Sequence, residues 1–167
     1  MAEIKRDGYG QVEPNHLSAK RTGQIYAQLP VDKTVLGTVL ENGRFVKYNY
    51  ASKKVDLSGA GEWMLVYNEI KLYDERKQMY KDYAMKAEEQ VDGEMVPRVF
   101  KTNIGDIYTT NCIGDGTSAV TVTVGANLKV GADGYLTTGT DSNFQWQVVD
   151  IYTMPDGQPG IKIMRVK

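Results

Sequence analysis

The chain has 167 residues, 41% hydrophobic and 25% charged, the make-up of an ordinary globular domain that can bury a sizeable core without a disulfide or metal staple. Lysine and arginine total 20 against 21 acidic residues, a net charge of −1, which leaves no basic excess to neutralise a nucleic-acid backbone. Cys112 is the single cysteine and has no partner for an internal disulfide, no apolar run has the length of a membrane span, and the start of the chain lacks the apolar stretch of a secretory signal.

These features predict a protein made in a cytoplasm that stays soluble there or leaves within an assembly, with neither nucleic acid nor membrane as a partner. Tyrosine is abundant, with 11 Tyr against 3 Phe and 2 Trp. Tyrosine suits strands and also half-wet contact surfaces.

Residues 1–30 carry Gly8, Gly10, Pro14, Gly23 and Pro30, and their apolar residues Ile4, Val12, Leu17 and Ile25 follow no period. They read as an extended N-terminal arm, pinned at Tyr9 and Tyr26, that orders against a neighbouring protein. Residues 31–167 read as a single mainly β domain. Val35-Leu36-Gly37-Thr38-Val39-Leu40 is a short apolar run. Asn42-Gly43 after it marks a hairpin, because both residues reach positive φ at low cost. Phe45 to Tyr50 alternates, with Val46, Tyr48 and Tyr50 on one face and Phe45, Lys47 and Asn49 on the other. Trp63-Met64-Leu65-Val66-Tyr67 is continuously apolar and suits a strand buried on both faces.

Residues 73–90 break the pattern. Good helix formers run without Gly or Pro, and Met79, Tyr80, Tyr83, Ala84 and Ala87 fall at helical spacing. An α-helix is predicted there, capped by Asp74, ended by Gly93 and laid against the sheet. Glu88, Glu89, Asp92 and Glu94 form an acidic run that reads as a solvated helix end. Strand character returns after Pro97, with Val120 to Val124 β-branched throughout and Gly131-Ala132-Asp133-Gly134 marking a second hairpin. Gln145 to Tyr152 and Ile161 to Val166 flank a Pro- and Gly-rich turn at 154–160. Simple alternation puts Val148 with Asp150 on one face of that strand and Val149 with Ile151 on the other. Many short strands at close turn spacing indicate a small β-barrel or sandwich, with the one inserted helix at about 73–90 and the extended arm.

No constellation for catalysis or cofactor binding emerges. His16 is the only histidine and lies in the arm, whereas a triad or zinc site needs partners at fixed geometry. Cys112 has no base other than that distant imidazole to activate it. Gly114-Asp115-Gly116-Thr117 puts an acid where a phosphate would sit and is followed by no P-loop lysine. Asp141, Asp150 and Asp156 lack calcium-loop spacing. The expectation is a protein without enzymatic activity, cofactor or metal.

Two stretches carry a family resemblance. One is Leu36-Gly37-Thr38-Val39-Leu40-Glu41-Asn42-Gly43-Arg44-Phe45-Val46-Lys47-Tyr48, followed by Gly61-Glu62-Trp63-Met64-Leu65-Val66-Tyr67-Asn68-Glu69. The other is Val124-Gly125-Ala126-Asn127-Leu128-Lys129-Val130-Gly131-Ala132-Asp133-Gly134-Tyr135-Leu136, followed by Trp146-Gln147-Val148-Val149 and the Asp156-Gly157 turn. Together they resemble the small capsid decoration, or cement, proteins of tailed phages. The resemblance implies a virion structural protein on the capsid exterior. It would bind the major capsid protein of the assembled shell in many copies or as a homo-oligomer, and stabilise that shell. The alternative is a virion adhesion module whose loops bind a host glycan or receptor. Tyr9, Tyr26, Tyr80 and Tyr83 are the expected partner contacts, the last two on the apolar face of the helix.

Overall fold

Turn residues cut the chain into short strands, and a computed structural model shows where each one goes. It describes residues 1–19, 23–68 and 83–167. In chain order the strands are β1 (Ala2–Ile4), β2 (Val12–His16), β3 (Ile25–Tyr26), β4 (Val39–Glu41), β5 (Phe45–Asn49), β6 (Lys54–Asp56), β7 (Met64–Val66) and β8 (Ala84–Lys86). After these come β9 (Val99–Phe100), β10 (Ile107–Thr110), β11 (Val120–Val122), β12 (Asn127–Val130), β13 (Leu136–Thr138), β14 (Gln145–Thr153) and β15 (Pro159–Arg165). One helical turn, α1 (Lys33–Leu36), is capped by Asp32, whose Oδ1 accepts from Thr34 N at 3.0 Å and Thr34 Oγ1 at 2.6 Å.

A six-stranded sheet runs β13-β12-β14-β15-β10-β2 and a five-stranded sheet runs β3-β9-β7-β5-β6, with β1-β11 and β4-β8 as two-stranded pieces. The fold is mainly β, and among the described residues the sheets do not close into a barrel. Layering follows from side-chain alternation. Phe45 and Leu65 point from the five-stranded sheet into a core shared with Tyr108, Leu128, Trp146, Val148, Ile161 and Ile163 of the six-stranded sheet. Their neighbours Val46, Met64 and Val66 point the other way, into a second core with Val31, Leu36, Leu40 and Met95. The five-stranded sheet is therefore a middle layer, and Met64-Leu65-Val66 is buried throughout, as its unbroken apolar run requires. A sandwich-like stacking of the two large sheets fits this arrangement.

Five expectations are modified. Residues 73–82 of the expected helix, including Tyr80, lie outside the described residues. From Tyr83 onward no α-helix forms. Ala84–Lys86 pairs with β4 in the register Val39↔Lys86, Leu40↔Met85, Glu41↔Ala84, and two 3-10 turns follow at Ala87–Glu89 and Val91–Gly93. Helix propensity is a weak preference, and a ladder that also buries Ala84 overrides it.

Next, Val35–Leu40 is not one strand: its first half is α1, and only Val39 and Leu40 belong to β4. The turn at Asn42-Gly43 exists, with Gly43 at φ +92°, yet it joins strands of different sheets. Gly43 N donates to Val66 O at 2.9 Å, Asn68 N donates to Asn42 Oδ1 at 2.7 Å, and Asn42 Nδ2 donates to Asn68 O at 3.1 Å. Those bonds steer the chain onto β7 instead of back along β4.

Strand β14 carries a bulge at Val149. Val148 pairs with Ile163 and Asp150 with Lys162, so Val148 and Ile151 both reach the core that simple alternation would have split between them. Lastly, the described part of residues 1–30 contributes strands to the sheets: β1 on β11, β2 along β10, β3 along β9. Ile4 and Leu17 are buried in the main core. Pro14 sits on an edge strand, where a missing N–H costs no ladder bond.

Gly134 ties the layers together. Phe45 N of the middle sheet donates to its carbonyl at 2.7 Å. Its φ is +84°, and a Cβ there would stand 2.3 Å from the Phe45 carbonyl oxygen. Gly157 has a similar φ of +87° with open space around it. Gly157→Ala is expected to cost about 1 kcal/mol for its backbone alone, and Gly134→Ala about 2–4 kcal/mol because contact strain adds. Urea unfolding of the two variants checks the order.

Asp56 holds the turn after β6. Its carboxylate accepts from Asn49 Nδ2 at 2.7 Å, Ser58 N at 2.8 Å, Gly59 N at 2.9 Å and Ser58 Oγ at 3.0 Å. Burial alone would raise its pKa, but these hydrogen bonds outweigh burial and hold it below the usual carboxylate value. A depressed folded pKa stabilises above the unfolded pKa, and that stabilisation is lost as pH falls through the folded value. Asp56→Asn is thus expected to be less stable than the wild type at neutral pH, with the gap closing below about pH 4. Urea midpoints of both proteins across that range check it.

Candidate functional site

Four distant segments meet at one buried ion pair. Arg6 follows β1, Glu41 ends β4, Tyr135 precedes β13, and Gly114 lies in the loop after β10. Arg6 grips Glu41 with two donors, Nη2 to Oε1 at 2.7 Å and Nε to Oε2 at 3.2 Å, and its Nη1 donates to Gly114 O at 2.9 Å. Their side chains are 2% and 9% exposed. Gly10 N donates to Glu41 Oε2 at 2.5 Å and Tyr135 Oη to Oε1 at 2.6 Å. A carboxylate offers about four acceptor positions, so Glu41 is saturated. The Tyr135 ring lies between two guanidinium groups, Arg6 at 5.3 Å and Arg44 at 4.9 Å from its centroid.

This chemistry is structural in character. Burial first, and then the Glu41 charge, push the Tyr135 phenol well above its usual pKa, so it stays a donor. Cys112 is wholly buried beside the ion pair, and burial followed by Glu41 pushes its thiol up as well. A thiol held protonated is a poor nucleophile. Close packing of Gly10 and Gly43 on Cys112 fills the space around it, since a Cβ on either would come within 2.8 Å of its side-chain atoms. His16 is exposed at the end of β2, opposite Ile107. Among the described residues, no group of three or more His, Cys, Asp or Glu side chains is placed to hold a metal ion.

An open groove of about 450 Å³ runs past this cluster, lined by Asp115, Asp133, Tyr135 and Thr137. Its acids are engaged locally. Asp115 Oδ1 accepts from Thr117 N and Oγ1 at 2.9 and 2.7 Å, and Asp133 Oδ1 accepts from Tyr135 N at 3.1 Å. The groove is the outer surface of a turn cluster that supports the ion pair.

A different surface carries unsatisfied apolar area. Eight large apolar side chains are exposed among the described residues, and four of them, Val35, Val39, Val91 and Val96, belong to one flank. That flank is α1, β4 with β8, and the two 3-10 turns. It is held together by Ala87 N to Thr38 O at 2.9 Å, Lys33 Nζ to Gly93 O at 3.2 Å and Val31 N to Met95 O at 2.8 Å. Val91 is 86% exposed, and Asp92 after it holds φ +54°. This left-handed turn is one Asp tolerates better than most residues. Clustered exposed apolar side chains mark interaction surfaces more than scattered ones do.

The tyrosines singled out in the sequence fall in different places. Tyr9 is half-buried beside the flank, with Lys86 Nζ of β8 5.8 Å from its ring centroid. Tyr83, also half-buried, directly precedes β8. Tyr26 lies elsewhere, on the edge strand β3, stacked edge-on against Tyr48 at 5.9 Å with Lys101 Nζ at 5.5 Å from its centroid. Tyr80 is outside the described residues. Sequence reasoning missed the valines and the ion pair. The one available signal for the valines was Val91, an apolar residue set inside an acidic run.

Comparison with protein-family models, curated proteins and solved structures finds no match to this chain.

Removing one partner of a buried ion pair strands the other charge. Glu41→Ala is therefore expected to lower the unfolding free energy by about 3–5 kcal/mol. Arg6→Met combined with Glu41→Met should recover only part of that loss, because the Gly10 N–H and Tyr135 hydroxyl stay unpaired. Denaturant titration of the single and double variants checks both statements.

Proposed function

We propose that this protein is a phage virion component of the decoration type, which attaches to the outside of the assembled capsid and stabilises the shell through contacts with the major capsid protein. The observation that carries this reading is the grouping of Val35, Val39, Val91 and Val96 on one flank, with half-buried Tyr9 and Tyr83 nearby. Such a surface suits a docking partner of protein character. The resemblance of residues 36–69 and 124–157 to phage cement proteins supplies the class of partner. A near-neutral net charge of −1 suits a molecule that packs at high density beside its own copies.

The mechanism is linkage. A ligand that binds the assembled lattice and not the free subunit stabilises assembly by mass action, by about 4 kcal/mol per site at a thousandfold excess over its Kd. A molecule that touches two neighbouring capsid subunits makes its second contact intramolecularly, so modest patches add up to tight attachment. A domain whose N-terminal segment is laid into its sheets, as here, holds its docking face in a fixed relation to the rest of the fold.

The test adds purified protein to bare shells, measures the copy number bound, then heats the shells or withdraws salt. Binding across the whole lattice with a raised disruption temperature is expected. Shells that take up the protein yet break as readily as bare ones would refute the stabilising role. Occupancy confined to vertices or the tail would favour the adhesion module.

A further inference from the structure

The valine flank has a charge pattern that specifies its partner. Four acids, Glu88, Glu89, Asp92 and Glu94, stand exposed along the 3-10 turns that present Val91, and Val96 follows directly. Two lysines accompany them, and both are engaged within the flank. Lys33 donates to Gly93 O at 3.2 Å, and Lys86 pairs with Glu89 at 3.5 Å while lying over Tyr9. The flank thus carries exposed valines on neighbouring segments and four exposed acids on one of those segments. Asp92 at φ +54° kinks the second 3-10 turn directly after Val91, which is 86% exposed. A local conformation of this kind costs free energy and persists where the surrounding structure holds it.

We propose that this flank is the face that meets the shell, and that its counterpart on the coat lattice is an apolar patch rimmed by lysine or arginine. The inference rests on the decoration reading and adds the face and the chemistry of the partner. The valines exclude water, while the exposed acids steer approach and reject acidic surfaces. A second copy of this chain is the less suitable occupant, because its flank offers acids and two engaged lysines where a cationic complement is needed.

The experiment uses the full chain and bare shells, with binding followed by co-sedimentation. Val35→Asp and Val91→Asp change exposed side chains, so their thermal unfolding is expected to match the wild type while affinity for shells falls about tenfold or more. Glu88→Lys with Glu94→Lys is expected to weaken binding and to flatten its dependence on sodium chloride, which should weaken wild-type binding as it rises. Tyr50→Asp and Val124→Asp, exposed on other parts of the fold, should bind as the wild type does. If the wild type binds shells and the flank variants bind equally well, the flank assignment is overturned while the decoration reading stands. If the wild type itself does not bind shells, both fall. A wild-type dimer in sedimentation equilibrium that Val91→Asp converts to monomer would assign the flank to self-association and also overturn the proposal.

Discussion

The buried pair of Arg6 and Glu41 is the constraint on which the arrangement of the sheets depends. Two charges removed from water are tolerable only when every donor and acceptor finds a partner. Glu41 meets that demand by drawing on residues from remote parts of the chain: the arm through Arg6 and Gly10, and the β12–β13 turn through Tyr135. Arg6 carries the connection to Ile113 and Gly114. Displacing any one of these segments would strand a charge or an amide in the interior. A buried pair of this kind adds little net stability over an apolar substitute of equal volume, but it sharply penalises wrong arrangements. Arg44 works beside it, with Nε on Asp133 O at 3.0 Å and Nη1 on Leu36 O at 3.2 Å. It thereby links the hairpin of the six-stranded sheet to α1 on the far side of the middle layer.

That middle layer explains why the two ends of the molecule differ in character. The face of the five-stranded sheet bearing Phe45 and Leu65 is closed by a full sheet, with rings interlocked at 5.6 Å between Phe45 and Phe144 and 5.1 Å between Tyr108 and Trp146. Among the described residues, the opposite face is covered by short pieces: α1, β4 with β8, the 3-10 turns and the segment through Leu29 and Val31. Small elements cover a sheet incompletely. They bury Leu36, Leu40 and Met95 and leave Val35, Val39, Val91 and Val96 outside.

Much of this was legible in the sequence where the information is local. The hairpins at 131–134 and 154–158 form as their glycines indicate, with Lys129 opposite Thr137 and Thr153 opposite Pro159. The unbroken apolar run at 64–66 foretold a strand with cores on both faces. What was not legible depended on distant partners. Asn42-Gly43 has the composition of a hairpin turn, but Val66 and Asn68 capture its hydrogen-bonding groups. The bulge at Val149 leaves no mark in a run of β formers. Ala84–Lys86 has helical propensity and takes the edge of β4. Of the tyrosines singled out, Tyr9 and Tyr83 lie beside β8, whereas the valines come from segments that the β4–β8 ladder and the bonds from Val31 and Lys33 bring together.

The order of the six-stranded sheet also governs when the chain can fold during synthesis. β2 hydrogen-bonds to β10, more than ninety residues downstream, and β10 in turn lies against β15, which ends at Arg165. β1 waits for β11, and Arg6 waits for Gly114 and for the hydroxyl of Tyr135 that completes its partner's shell. The five-stranded sheet and the second core draw on residues 25–100 alone, but β1 and β2 stay unpaired until β11 and β10 have been made. Pairings this distant in sequence make folding slow, on the order of milliseconds to seconds for all-β topologies. They also make completion of the six-stranded sheet wait until β15 has been synthesised.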